Sequence, residues 1–273
     1  MSAPVGSGPA AVRRATAPAA RLPLALAVLL VLAAVAYPLT GGAARDAVSW
    51  SIVLLGSAVS VTSAAAAHGA RTGAAVLGTV AVTAVAFEAV GLGTGYPYGE
   101  YTYSDALGPT LLGVPFLVPL AWLMMAWPSR VLAALLTRRV RPARRRAARV
   151  AVAAAVFAGW DVVLDPQLVQ AGYWTWAHPA PGLPGIDTVP LTNLAGWLLA
   201  GLVLMTLLEL VVARTARGDA PGTEAAPLLV IAWMVAGGAL AHAVWLDLPG
   251  SAAWGAALSA VVLAVLAVQA RRR

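Results

Sequence analysis

Eight stretches of this chain are apolar for long enough to cross a bilayer. They lie near residues 22–40, 47–67, 73–91, 109–127, 147–165, 191–213, 226–246 and 252–269. Each is close to the roughly 20 residues that a membrane-spanning helix needs. Only helices and closed barrels satisfy every backbone polar group in hydrocarbon. Eight long apolar runs therefore leave one fold class: an all-α integral membrane protein, a polytopic bundle of about eight transmembrane helices. Residues 21–270 are expected to form a single transmembrane domain. Residues 1–20, rich in Ala and Pro with Arg13 and Arg14, read as a disordered cytoplasmic tail. Ala34-Val35-Ala36 resembles a signal-peptide cleavage site, but the seven further spans favour a retained first helix.

Charge placement sets the expected orientation. With the N-terminus inside, 17 of the 18 basic residues, all Arg, fall in inner segments and only Arg45 falls outside. That bias follows the positive-inside rule and predicts a multi-pass protein of the cell membrane with both termini cytoplasmic. The same placement accounts for the pI near 10.7, so nucleic acid is not an expected partner. Eight Arg lie between Arg130 and Arg149, in a basic cytoplasmic loop over 128–149. This loop is read either as a short interfacial helix on anionic lipid or as a plain topology anchor. There is no Cys, which removes thiolate chemistry and Cys-ligated metals.

The intramembrane acids are the candidates for chemistry. Asp161 and Asp165 lie four apart in AAAVFAGWDVVLDP (153–166), about one helical turn, so both point from one helix face. A charged side chain at mid-membrane costs roughly 2.5–3.5 kcal/mol on insertion scales, which makes a functional site the default reading. A structural polar pair near the interface is the alternative. Glu88 sits near the outer end of span three, and Asn193 opens span six with Trp197 four residues later. These groups converge on the outer half of the bilayer. Glu209, near the inner end of span six, is expected to pair with Arg214 or Arg217.

Two outer connections are long and rich in turns and aromatics: GLGTGYPYGEYTYSDALGP (91–109) and PQLVQAGYWTWAHPAPGLPGIDTVP (166–190). They are expected to fold over the mouth of the bundle. An interfacial aromatic belt explains their Tyr and Trp but not Glu100, Asp105 and Asp187. His68 and His242 read as hydrogen-bonded interhelical residues. With three His and no ligand spacing, no metal is expected, and no cofactor motif is present. A carboxylic acid facing an apolar cavity can protonate an alkene. Aromatic faces can stabilise the resulting cation, and a second carboxylate can orient water.

The strings FEAVGLGTGYPYGEYTYSDALGPTLLGVPFLVPLAW (87–122), WDVVLDPQLVQAGYWTW (160–176) and GIDTVPLTNLAGW (185–197) resemble the carotenoid biosynthesis membrane-protein family, which includes the CruF-type carotenoid hydratases. The resemblance covers roughly residues 85–200. It implies addition of water across the terminal C=C of an acyclic ψ-end C40–C50 carotenoid, giving a tertiary alcohol. The carotenoid, the bilayer and other membrane enzymes of the pathway are then the expected partners. The stretch from Gly185 to Asn193 departs from the pattern common in the family, which bears on end-group or chain-length preference. On this reading Asp161 or Asp165 is the acid, and Glu88 is its partner or a water-orienting base. Trp160, Tyr101, Tyr103, Trp174, Trp176 and Trp197 face the polyene or cation, and Asn193 bonds an aspartate or the catalytic water. The sequence does not rank the two aspartates, but the deeper Asp161 is expected to hold its proton, and Asp165, before Pro166 at an expected helix end and closer to water, to stay ionised. Two rival readings remain: a Mg-dependent membrane prenyltransferase built on Asp-x-x-x-Asp, and a non-catalytic carotenoid or lipid carrier.

Overall fold

The computed structural model describes residues 18–218, 220 and 222–271. Residues 1–17 of the expected tail, with Arg13 and Arg14, lie outside the described residues, as do Arg272 and Arg273. Pro18–Ala20 form a 3-10 turn that leads directly into the first helix.

Eight spans are present among the described residues. They are α1 (Arg21–Ala36), α2 (Gly42–His68), α3 (Ala70–Thr94), α4 (Leu117–Leu136), α5 (Pro142–Gln170) and α6 (Leu191–Thr215), then a composite seventh span and α9 (Pro249–Arg271). The seventh span joins α7 (Ala225–Ala232) to α8 (Gly238–Val244) through a π-helical turn at Trp233–Gly237. Alternating direction brings the α3–α4 and α5–α6 connections to one end of the bundle, the aromatic end. The Arg-rich segments collect at the other, the basic end.

α4 is the central helix: from Leu117 to Arg130 nearly every residue is buried. It packs against α2, α3, α5 and α7. Lipid tails are as apolar as Leu, so helices in a membrane gain by close fit rather than by escape from water. The α5–α6 contact shows this. A Cβ placed on Gly201 would lie 3.2 Å from the Ala154 backbone, so the two helices touch almost backbone to backbone. By contrast α9 buries only four residues and turns Val261 and Leu263 outward.

Three expectations about the spans change. Span four starts at Leu117, not near 109. Residues 110–115 instead form a small hairpin, β2 (Thr110–Leu111) with β3 (Val114–Pro115). Leu112 and Gly113 turn it with positive φ, a geometry that matches the twist of paired strands. α4 consequently runs on to Leu136 and takes Arg130 inside the bundle. The basic loop over 128–149 shrinks to the short link between α4 and α5, with no separate interfacial helix. Finally, α5 does not stop at Pro166 but continues to Gln170, because neighbouring helices in a membrane bundle tolerate the lost backbone bond. Asp165 therefore lies inside the helix rather than at its end.

Glu209 is also redirected. Arg149 donates to both of its carboxylate oxygens, through Nε at 2.8 Å on one side. Arg130 Nε lies 2.9 Å from Oε1. The longer α4 and α5 bring these two Arg inward, ahead of Arg214 and Arg217.

An acid pair and an aromatic ladder at the aromatic end of the bundle

The two connections at the aromatic end meet as a short antiparallel ladder. β1 (Tyr101–Tyr103) pairs with β4 (Trp174–Trp176), matching Tyr101 with Trp176 and Tyr103 with Trp174. Side chains alternate across a strand. In Tyr-Thr-Tyr and Trp-Thr-Trp this sends every aromatic to the protein side and both Thr outward. Tyr103 and Trp174 meet edge to face at 5.7 Å, and Tyr101 and Trp176 lie 6.0 Å apart. The ladder is an aromatic roof.

Beneath it, Glu88 of α3 accepts two hydrogen bonds, from Tyr101 Oη at 2.5 Å and Tyr103 Oη at 2.8 Å. Burial, with Glu88 next to them, pushes both phenols above their usual range. They therefore stay neutral donors at any physiological pH. Opposite, the Asn193 side chain of α6 donates to Asp161 Oδ2 at 2.9 Å and to Asp165 Oδ2 at 2.6 Å. One amide group thus bridges the pair, and both aspartates are only 2% exposed.

Glu88, Asp165 and Asn193 line one cavity of about 910 Å³ of space not filled by atoms, open at its mouth. Tyr101, Tyr103, Trp174, Trp176 and Trp197 line it too. Eight of the ten candidate residues therefore surround one space. Asp161 and Trp160 do not line it. Asp161 faces a minor recess beside Pro190 and Leu194. Trp160 packs on Phe157 and Trp197 and lines a neighbouring apolar cavity. Glu100, Asp105, His178 and Asp187 are on the surface, away from the cavity. Among the described residues no group of three or more His, Cys, Asp or Glu side chains is placed to hold a metal ion.

Four further lining residues that the sequence did not single out bear on the chemistry. Trp122 of α4 stacks obliquely on Trp197 at 5.1 Å and deepens the aromatic wall. Gln167 lies on the α5 face one step past Pro166. Tyr173 donates to Asp46 Oδ1 at 2.5 Å, tying the second connection to α2. Burial and that bond push its phenol up to about 12. Tyr98 is 2% exposed, and its hydroxyl has no hydrogen-bond partner. Its ring is wedged between α3 and α6: a Cβ on Gly91 would come within 2.9 Å of it, and one on Gly196 within 2.6 Å. The glycines create the slot. Nothing local in the turn-rich 91–109 connection showed that Tyr98 points into the bundle.

The fold and site define a class: a multi-pass membrane protein with a carboxyl-lined, aromatic-walled cavity at the aromatic end of its bundle. The chain belongs to the carotenoid biosynthesis protein family, whose model matches residues 48–266. Over 138 residues it is 38% identical to the bisanhydrobacterioruberin hydratase of Haloarcula japonica. That alignment spans 49% of this chain and 44% of the relative, less than half of its length. No solved structure matches the chain.

Proposed function

We propose that this protein hydrates the terminal C=C of an acyclic C40–C50 carotenoid, giving a tertiary alcohol. The supporting observation is one aromatic-walled cavity that holds two separate carboxyl sites, Asp165 with Asn193 on one side and Glu88 on the other. The name of the Haloarcula relative describes the same type of reaction.

In this reading Asp165 is the acid, because it lines the cavity and Asp161 does not. Asp165 gives its proton to the less substituted alkene carbon, and the π pair forms the new C–H bond. The tertiary cation that remains faces Trp197, Trp176 and Trp122, whose electron-rich faces stabilise it. Water attacks the cation, forming the C–O bond. Glu88 takes the surplus proton, and transfer through water in the shared cavity returns it to Asp165. The sum is alkene plus water to alcohol. Asn193 holds Asp165 in place and couples it to Asp161. The unpartnered Tyr98 hydroxyl offers a docking point for the water.

The orientation and partners belong to the same proposal. Both termini face the cytoplasm, and the site lies in the outer leaflet. A polyene that roughly spans the ~30 Å hydrocarbon core brings its end group to that depth.

The test is mass analysis of carotenoids from a host making acyclic precursors, with and without this chain. A product heavier by one or two waters supports the hydratase. Unchanged pigments in hosts supplying C40 and C50 precursors, with the protein present in the membrane, overturn it.

A further inference from the structure

A second cavity adjoins the first, at the same depth in the bundle. It holds about 920 Å³ of space not filled by atoms, part of it open to the outside, between the end of α1, the upper part of α5 and the seventh span. The two cavities share five wall residues: Tyr37, Ile52, Leu164, Gln167 and Met234. They are neighbouring chambers separated by a single layer of side chains. The outer lip of the second is apolar and faces where lipid must lie. Leu39 is 67% exposed, Leu240 54% and Trp245 53%.

The seventh span is widened at this point. Its π-helical turn, Trp233–Gly237, lies along the cavity, and π turns inside α-helices recur at functional sites. Trp233 folds back over Gly237, where an added Cβ would lie 2.9 Å from the indole. Gln167, at the junction, is held by His242 of the same span, whose Nε2 lies 3.0 Å from its Oε1.

We infer that this second cavity is the side door of the site, through which the hydrocarbon chain of the substrate passes from the bilayer into the acid cavity. The inference rests on the hydratase reading for the identity of the chain. The first cavity is roofed by the β1–β4 aromatics on the aqueous side, a poor route for a water-insoluble polyene. A linear chain as long as the bilayer core also exceeds one chamber. With the end group beside Asp165, the rest of the chain runs past Leu164 and Met234 and leaves between α1 and the π turn. Gln167 and Tyr37 are the polar side chains of this passage, and they sit at its inner end, where the new hydroxyl would arrive.

The experiment fills the door from opposite walls with Ala34→Trp and Ala241→Trp, and places a control, Leu263→Trp, on the lipid-facing side of α9. The smaller Ala34→Leu and Ala241→Leu serve if either Trp variant fails to accumulate in the membrane. Two quantities are read in nanodiscs: conversion of an added C40 acyclic polyene, and polyene absorbance retained by the purified protein. The expected result is conversion at least about tenfold lower in both filled variants, the scale of a pocket refused to its ligand. Retained polyene falls with it, and the control matches the wild type. Wild-type conversion in the filled variants overturns the door and leaves the hydratase reading standing. If the wild type converts nothing, the hydratase reading falls and retention alone decides the door. Equal retention in wild-type and filled proteins, at any level, overturns it, and lower retention in the filled proteins supports it.

Discussion

At the residue scale, the informative group is Asn193. Its side-chain amide has two protons, and one goes to each aspartate. An Asp-x-x-x-Asp pair on a helix becomes a site only because a third side chain from another helix bridges it. The structure also separates the aspartates: Asp165 lines the main cavity and Asp161 faces a recess behind it. Asp165→Asn is therefore expected to lower turnover by about 10²–10⁴, the usual scale of a lost general acid, with normal abundance in the membrane. Asp161→Asn should have a smaller effect. Steady-state hydration by both variants checks the order, and full activity in Asp165→Asn would sink the assignment. Across the cavity, Tyr101→Phe and Tyr103→Phe each remove one of the two side-chain donors that hold Glu88. Each should reduce turnover, and the double variant should exceed either single one. A double variant no slower than the singles would show that Glu88 is held by other means.

At the scale of elements, the site depends on contacts that admit no extra atom. Tyr98 reaches the cavity through the slot between α3 and α6, so Gly196→Ala forces its ring or the Pro97 backbone to move. Activity should drop while the protein stays folded, because overpacking at one such point costs about 1–3 kcal/mol. Thermal unfolding measured beside activity separates the two effects. The basic end carries a different kind of element contact. Arg130 from α4 and Glu209 from α6 form a buried ion pair, which the half-buried Arg149 from α5 joins. Removing one partner of a buried pair typically costs about 3–5 kcal/mol, since the other charge, here that of Arg130, stays buried. Glu209→Gln should therefore lower the unfolding temperature in detergent with little change in catalysis per folded molecule. Unchanged thermal stability would mean that water reaches the two Arg.

At the scale of the whole molecule, the polar chemistry is divided between two ends. The acids and aromatics of the site gather at one, and all the described Arg except Arg45 gather at the other, with Glu209 among them. The expected consequence is a fixed topology. A fluorescent reporter at the C-terminus should mature in the cytoplasm, and alkaline phosphatase fused after Asp187 should be active outside it. The opposite pattern would place the acid cavity in the inner leaflet.

Some of this was legible in the linear sequence, because hydropathy, Arg placement and one-turn spacing are local or additive quantities. They give eight spans and the shared face of Asp161 and Asp165. The family resemblance added the reaction expected of them. Other features depend on which helices become neighbours: the bridging role of Asn193, the hydroxyl bonds to Glu88, and the recruitment of Tyr98, Trp122 and Gln167. So do the capture of Glu209 by Arg130 and Arg149 and the chamber beside the π turn. Helix ends were misjudged where tertiary contacts override local signals, as when α5 runs through Pro166. Hydropathy decides what enters the membrane; which side chains meet there is decided by close packing between helices far apart in the chain, and no local pattern encodes it.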